Sequence, residues 1–456
     1  MKVRYNAIFR GNRDLIDLPG LMYRKSFFLT EGKYSSTFFI LVLRWSSSMR
    51  QLKSAIVMSD LHLGRPSSYL CSDHSAFAAN RKAILNLLQQ VGAQDELILN
   101  GDIMELSLAG WKEVGRELAE FFNLLAEAGP YQRIVYVPGN HDHHFWRLLV
   151  EKILLLHNVE NKNALPDIDE YPFCFVDQKF SSRDYDVIMN HFWPAGSAMP
   201  EMVIKYPHHL LQVKGRPLGR PATEQTYLIT HGHFLEDLFV PMNILIEPAR
   251  LDELEAFNNI WLEAFHYHLG QAGRLSNRVR SLLDRYEKGG RQSYQVLKKV
   301  LDEIYVRINR RYRIVLPFNW MLKHAIKKIV KQVTLSRHSE LFGVALNKDL
   351  KKNIRAYVSK YLLSRYKKAL RSDFHFPGGT DIPTPFTFLF GHTHRPVAGP
   401  ETAEAWIDID KQIFPIANSG GWLRSDTTGK IKGQNAGLIL INQEGWKWHS
   451  LTGQLR

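Results

Sequence analysis

The sequence predicts a layered α/β fold interrupted by one long helical insertion. Two observations point to it. Short runs of β-favouring residues recur along the chain, each ending in a turn that carries polar residues, with helical stretches between the first of them. Between His233 and Phe386 that pattern stops, and apolar residues fall at helical spacing instead.

The elements follow in order. Residues 1–50 lack a clear period and are expected to be a poorly ordered N-terminal extension, or an overlong start with Met49 as the initiator. Ala55-Ile56-Val57-Met58 reads as a strand running into Ser59-Asp60-Leu61-His62. A helix over 81–91 leads to Glu96-Leu97-Ile98-Leu99 and then to Asn100-Gly101-Asp102. A second helix, over 113–128, leads to Ile134-Val135-Tyr136-Val137. That strand ends at Pro138-Gly139, a tight turn, with Asn140, His141 and Asp142 just beyond it. Further strands are expected at 186–189, ending at His191; at 227–229, ending at His231-Gly232-His233; and at 386–390, ending at Gly391-His392-Thr393-His394. Short strands near 413–417, 437–441 and 446–449 close the chain. Helices are expected at 251–269, 294–311, 319–333 and 350–370. The domains are therefore a body over 51–235 and 376–456, with an inserted helical cap over 236–375.

Composition narrows the function classes. With only Cys71 and Cys174, neither a disulfide framework nor a thiolate zinc site can be built, which suits a reducing, cytoplasmic setting. No apolar run approaches the ~18–20 residues that span a bilayer, and no cleavage pattern follows the short apolar run at 38–43. The charge is uneven: between Arg274 and Arg371, 26 Lys and Arg stand against 6 Asp and Glu, a net +20. With +14 overall, the rest of the chain carries −6. A mildly acidic body thus bears one strongly basic segment, an indication of an anionic partner.

The chemistry lies at the strand ends. In α/β sheets ligands gather at the carboxyl ends of strands. Five such ends supply Asp60 and His62, Asp102, Asn140 and His141, His231, and His392 and His394. Singly, each is more simply a turn former or a hydrogen-bonding residue. Jointly they suit a pair of metal ions ~3.5–4 Å apart, which needs a bridging carboxylate with imidazole and oxygen ligands. Asp102, alone after its glycine, is the natural bridge. Asp60-x-His62 and His392-x-His394 fit because residues two apart on an extended chain point the same way. The absence of a cysteine cluster favours borderline or hard ions, manganese, iron or zinc, of which manganese is the first expectation.

The series Asp60-Leu61-His62, Gly101-Asp102, Gly139-Asn140-His141-Asp142, His231-Gly232-His233 and Gly391-His392-Thr393-His394 resembles the calcineurin-like metallophosphoesterases. The motifs occur in that family's order. The resemblance implies a four-layer β-sandwich of two mixed sheets flanked by helices. It also implies that Asp60, His62, Asp102 and His394 hold one metal and that Asp102, Asn140, His231 and His392 hold the other. A hydroxide bridging the metals would attack phosphorus in line, His141 would bind the phosphate or protonate the leaving group, and Asp142 would orient His141. His233 departs from the Asp often found there and is not an expected ligand. The chain is also similar to the UDP-2,3-diacylglucosamine pyrophosphohydrolases in the position of its helical insert and in Thr393-His394-Arg395-Pro396. It departs from them in a far longer insert and in His141, where those enzymes usually place arginine.

Other residues take plainer readings. His191 is structural, His143 and His144 are packing or exposed neighbours of the active loop, and His208 and His209 are loop residues rather than ligands. Asn418-Ser419-Gly420-Gly421-Trp422 is either a border of the cleft or a plain tight turn. Residues 319–331 place lysines between apolar residues at helical spacing. Such a helix is either packed with its lysines in water, or in contact with an anionic membrane surface or nucleic acid. The expected function is a cytoplasmic, peripherally membrane-associated at most, two-metal hydrolase of a phosphorylated small molecule or lipid, cleaving a phosphoester or pyrophosphate. The insert is expected to control substrate choice rather than the chemical step. The rivals are a nuclease that follows a phosphate backbone with the insert, and a metal-binding scaffold without turnover. Retention of His141 and the whole ligand series argues against the scaffold.

Overall fold

The computed structural model describes residues 52–165, 191–215, 223–235, 262–268, 348–359, 386–397, 399–402, 405–409, 411–423 and 435–451, with single positions 254, 258, 259, 271, 273 and 306. The extension over 1–50, the strand expected at 186–189 and the helix expected at 319–333 lie outside them, as does the helix at 294–311 apart from residue 306.

The described strands are β1 (Ala55–Met58), β2 (Gln94–Leu99), β3 (Tyr131–Tyr136), β4 (Glu201–Ile204), β5 (His208–Gly215), β6 (Thr223–Thr230), β7 (Phe386–Phe390), β8 (Trp406–Ile409), β9 (Gln412–Asn418), β10 (Gly437–Asn442) and β11 (Gly445–Ser450). They form two mixed sheets, ordered β11-β10-β1-β2-β3-β4 and β5-β6-β7-β9-β8. In the first, β1 to β4 run parallel and β10 and β11 are antiparallel; in the second, β6, β7 and β9 run parallel between antiparallel β5 and β8.

Strand alternation sorts the side chains into layers. Val57, Ile98, Val135 and Val203 of the first sheet share a core with Leu211, Val213, Tyr227, Ile229, Leu389 and Ala417 of the second, so the sheets pack face to face. On the outer face of the first sheet, Ile56, Met58, Leu97, Leu99, Ile134 and Tyr136 meet helices α1 (Phe77–Val91) and α2 (Trp111–Ala128). In α2 the buried Val114, Leu118, Phe121, Phe122 and Leu125 fall at helical spacing on one side. Glu113 in its first turn suits the helix dipole, and Gly129 ends it. Phe122 is fully buried, and its truncation to alanine would cost about 3–5 kcal/mol. On the outer face of the second sheet, Leu228, Phe386, Phe388, Phe414 and Ile416 meet Ile354, Tyr357 and Val358.

Two short helices, α3 (His143–Glu151) and α4 (His157–Glu160), follow β3, joined by a π-helical turn. Between residues 236 and 375, Leu262–His268 is π-helical and Lys348–Tyr357 forms α5. These agree in type with the helices expected at 251–269 and 350–370. A helical subdomain over 236–375 as a whole lies outside the described residues. Among the described residues no helix is long and apolar enough to cross a membrane.

Five of the described elements were not expected: β4, β5, β8, α3 and α4. β4 and β8 are four residues each, too short for periodicity to register. His208 and His209 are not loop residues; they open β5, paired with Thr230 and Ile229, and are buried. Tertiary partners make this feasible, since Tyr357 lies 2.8 Å from His208 Nε2 and Glu96 lies 2.9 Å from His209 Nε2.

Candidate metal centre

Because β1, β2 and β3 are parallel in one sheet and β6, β7 and β9 in the other, their carboxyl ends deliver loops 59–64, 100–105, 137–142, 231–233, 391–395 and 418–422. Hydrogen bonds stitch the loops of the two sheets together. Asn100 Nδ2 donates to Thr230 O (2.9 Å), and the Gly391 N–H to His231 O (3.0 Å). The His392 N–H donates to the Asp60 carboxylate (3.0 Å), and the Ser59 and Ser419 hydroxyls meet at 2.5 Å.

The ligand-type residues reach their positions through left-handed backbone. Asp60 (φ 56°), His62 (47°), Asp102 (51°), His392 (65°) and His394 (53°) account for five of the seven described non-glycine residues with positive φ. Such a conformation costs an L-residue about 1–2 kcal/mol, so its concentration here marks a site held by its surroundings. The extended-chain argument for Asp60-x-His62 and His392-x-His394 therefore does not describe how they converge. Close approach adds a further demand. A Cβ on Gly139 would collide with the Asp102 carboxylate and come within 2.8 Å of the His231 ring, and one on Gly421 would lie 2.6 Å from the His394 ring.

The structure gathers every residue of the series. Asp60, His62 and His394 form one cluster, with His394 Nε2 3.2 Å from Asp60 Oδ1 and 3.1 Å from His62 Nε2. Asp102, His231 and His392 form another, with His231 Nε2 3.1 Å from both Asp102 Oδ2 and Asn140 Oδ1. Asp102 Oδ2 also lies 3.9 Å from His62 Nε2, between the clusters. All are buried.

The donor set fits divalent cations. His62 Nδ1 faces the Glu105 carboxylate (3.0 Å) and His231 Nδ1 faces the Asn100 carbonyl (3.0 Å); both partners only accept, so both Nδ1 atoms carry hydrogen. In the neutral rings Nε2 then bears the lone pair. His62 Nε2 points at His394 Nε2, and His231 Nε2 points at a carboxylate and an amide oxygen. Lone pairs converging in a buried space repel unless a cation or a proton lies between them. The proton's claim is visible: burial alone would lower the His231 pKa, but the Asp102 carboxylate outweighs it and raises it to about 9. Burial likewise opposes ionisation of Asp102, yet His231 and His141 hold it well below the usual carboxylate range. A divalent cation would replace such protons at the same spots.

His141 sits beside this centre. Its N–H donates to Asp102 Oδ1 (2.8 Å), and its ring lies edge-on to His62 at 4.8 Å. The carboxylate against its Nδ1 belongs to Glu105, at 2.7 Å, not to Asp142. Asp142 accepts instead from the N–H groups of Ile103 (2.7 Å) and Gly139 (2.6 Å) and from the Tyr136 hydroxyl. It thus fixes the loops rather than the imidazole. Burial and the charge of Asp102 push its carboxyl up to about 6. Glu105 was not singled out in the sequence. Burial works against its charge, but His141 and His62 hold it well below the ordinary carboxylate range. The signal was there: a lone acid in the run Ile103-Met104-Glu105-Leu106 is out of place unless paired.

The plainer readings divide. His191 is exposed and has no part in the centre. His143 and His144 pack near the active loop, each bonded to Glu263. His233 is buried 5.8 Å from His231, ring to ring, outside both clusters. The 418–422 turn borders the site through Ser419 and Gly421.

Comparison with known proteins gives one match to a family profile. Residues 54–272 match the profile described as calcineurin-like phosphoesterase. No curated protein matches the chain.

Proposed function

Because residues 54–272 of this chain match the calcineurin-like phosphoesterase family, we propose that it hydrolyses a phosphoester or pyrophosphate bond with two divalent cations, manganese first among the candidates. The observation that carries the reading is the convergence of donor atoms of His62, His231, Asn140 and Asp102, with the far side of His62 held by Glu105, that of His231 by the Asn100 carbonyl and that of Asp102 by the His141 N–H. Asp60, His62 and His394 would hold one cation, Asn140, His231 and His392 the other, and Asp102 would face both. When bound, such cations polarise phosphoryl oxygens and make water a nucleophile near neutral pH.

The chain's own residues do the rest. Glu105 holds His141 Nδ1–H, so Nε2 is the nitrogen that can bind a phosphoryl oxygen or pass a proton to a leaving group. Asp142 and Tyr136 keep the loop still, and the N–H of His141 orients the Asp102 carboxylate. Burial of the donors excludes competing water. The +20 segment between Arg274 and Arg371 supports a substrate or surface that is itself anionic, a phosphorylated lipid or a nucleic acid. A steep loss of nucleic-acid binding with salt would favour the nuclease reading.

The test is a panel of mono-, di- and pyrophosphate substrates with added manganese, run beside Asp102→Ala. The expected result is turnover by the wild type with about two ions per chain, and loss of both ions in the variant, because Asp102 serves both sites. Inactivity across the panel, or full metal content in Asp102→Ala, would overturn the proposal.

A further inference from the structure

The insertion reaches the catalytic loop through one carboxylate. Glu263, on the Leu262–His268 segment, faces His143 Nδ1 with Oε1 (2.9 Å) and His144 Nδ1 with Oε2 (2.6 Å). Those imidazoles form the first turn of α3, directly after His141 and Asp142. Consecutive helical residues point about 100° apart, so one carboxylate holding both fixes the rotation of that turn. Burial works against the Glu263 charge, but the two imidazoles outweigh it and bring its pKa down to about 2.

The same segment holds a second loop. The Tyr267 ring stacks on His144 with centroids 3.4 Å apart and planes 9° apart. Its hydroxyl accepts from Trp111 Nε1 (3.3 Å), at the start of α2. Gln271 Nε2 donates to the carbonyls of Leu106 (2.9 Å) and Ala109 (2.8 Å). Leu106 adjoins Glu105, and its own N–H donates to the His141 carbonyl (3.1 Å). The two supports of His141, the Glu105 loop and the first turn of α3, are thus braced from one piece of the insertion.

We propose that Glu263 is a positioning residue for His141, through which the insertion acts on turnover as well as on substrate choice. The proposal rests on the phosphoesterase reading above. It departs from the expectation that the insertion leaves the chemical step alone.

The experiment compares the full chain with Glu263→Gln and the conservative Glu263→Asp, all with added manganese. Four quantities are measured: metal content, amide hydrogen exchange, and kcat and KM on an alkyl and a p-nitrophenyl phosphate ester. In Glu263→Gln the metal content should stay at the wild-type level. Exchange should quicken over residues 143–149 and not over 77–91. kcat on the alkyl ester should fall about 10- to 100-fold, as for a misplaced catalytic group. The p-nitrophenyl ester, whose leaving group needs little protonation, should lose much less, KM should hold, and Glu263→Asp should recover part of the loss. Quicker exchange with unchanged kcat on both esters overturns the proposal by leaving Glu263 a purely structural contact. Equal loss on both esters together with lost metal overturns it too, because the segment would then support the cations. Unchanged exchange and unchanged kcat also overturn it. If the wild type cleaves neither ester, the effect on turnover is refuted and the exchange result judges the brace by itself; the phosphoesterase reading fails only if the whole panel of mono-, di- and pyrophosphates is also left uncleaved.

Discussion

Replacing Glu105 by glutamine should weaken one cation site and spare the other. The carboxylate takes the Nδ1–H of His141 on Oε1 and that of His62 on Oε2. Oε1 also accepts from the Leu108 N–H (3.1 Å), so two donors demand an acceptor there. The amide oxygen of a glutamine will occupy that side, and its NH2 will face His62. His62 Nδ1 must then accept, which moves the ring proton to Nε2, the atom directed at His394 and Asp102. A nitrogen carrying hydrogen cannot bind a cation. Loss of such an outer partner typically weakens metal binding 10- to 100-fold, or about 1.4–2.7 kcal/mol. Calorimetric manganese titration of the metal-free chain should therefore show one of two sites weakened by that factor. The site at His231 should be unchanged, because its Nδ1 is held by the Asn100 carbonyl. Circular dichroism should confirm that the variant is folded. Two unchanged sites, or two equally weakened ones, would refute the tautomer argument.

Two further outcomes can be checked. His141→Ala should keep its metals and lose turnover on esters with poor leaving groups by about 10²–10⁴-fold; steady-state kinetics on an alkyl phosphate decides it, and a near-wild-type kcat would leave His141 without a chemical role. His208 should make the metal-free chain acid-sensitive: burial lowers its pKa to about 3, while the unfolded chain protonates near 6.5. Between those values the unfolded state binds the extra proton, so stability is full above about pH 6.5 and falls as pH drops, by about 1.4 kcal/mol per unit. From pH 6.5 to 5 the wild type should lose about 2 kcal/mol more than His208→Gln in urea unfolding; equal losses would sink this account.

The sequence by itself determined the strand series and the residues at its ends. Ala55–Met58, Phe386–Phe390 and the segments like them are apolar runs closed by turn residues, and such runs form buried strands wherever the chain places them. Asp60, His62, Asp102, Asn140, His141, His231, His392 and His394 were legible because each breaks an apolar pattern at a strand's carboxyl end. Only the tertiary structure decided how they converge: left-handed backbone at five of them turns the side chains inward, and no local pattern encodes a conformation that neighbours must enforce. It also decided which carboxylate serves His141. Asp142 stands next to that histidine in sequence but spends its oxygens on backbone N–H groups, whereas Glu105, 36 residues earlier, reaches the ring from another loop. Strand β5 and the brace at Glu263 were illegible for the same reason. Their histidines look like polar loop residues until Glu96, Tyr357 or Glu263, each more than a hundred residues away in sequence, arrives to satisfy them.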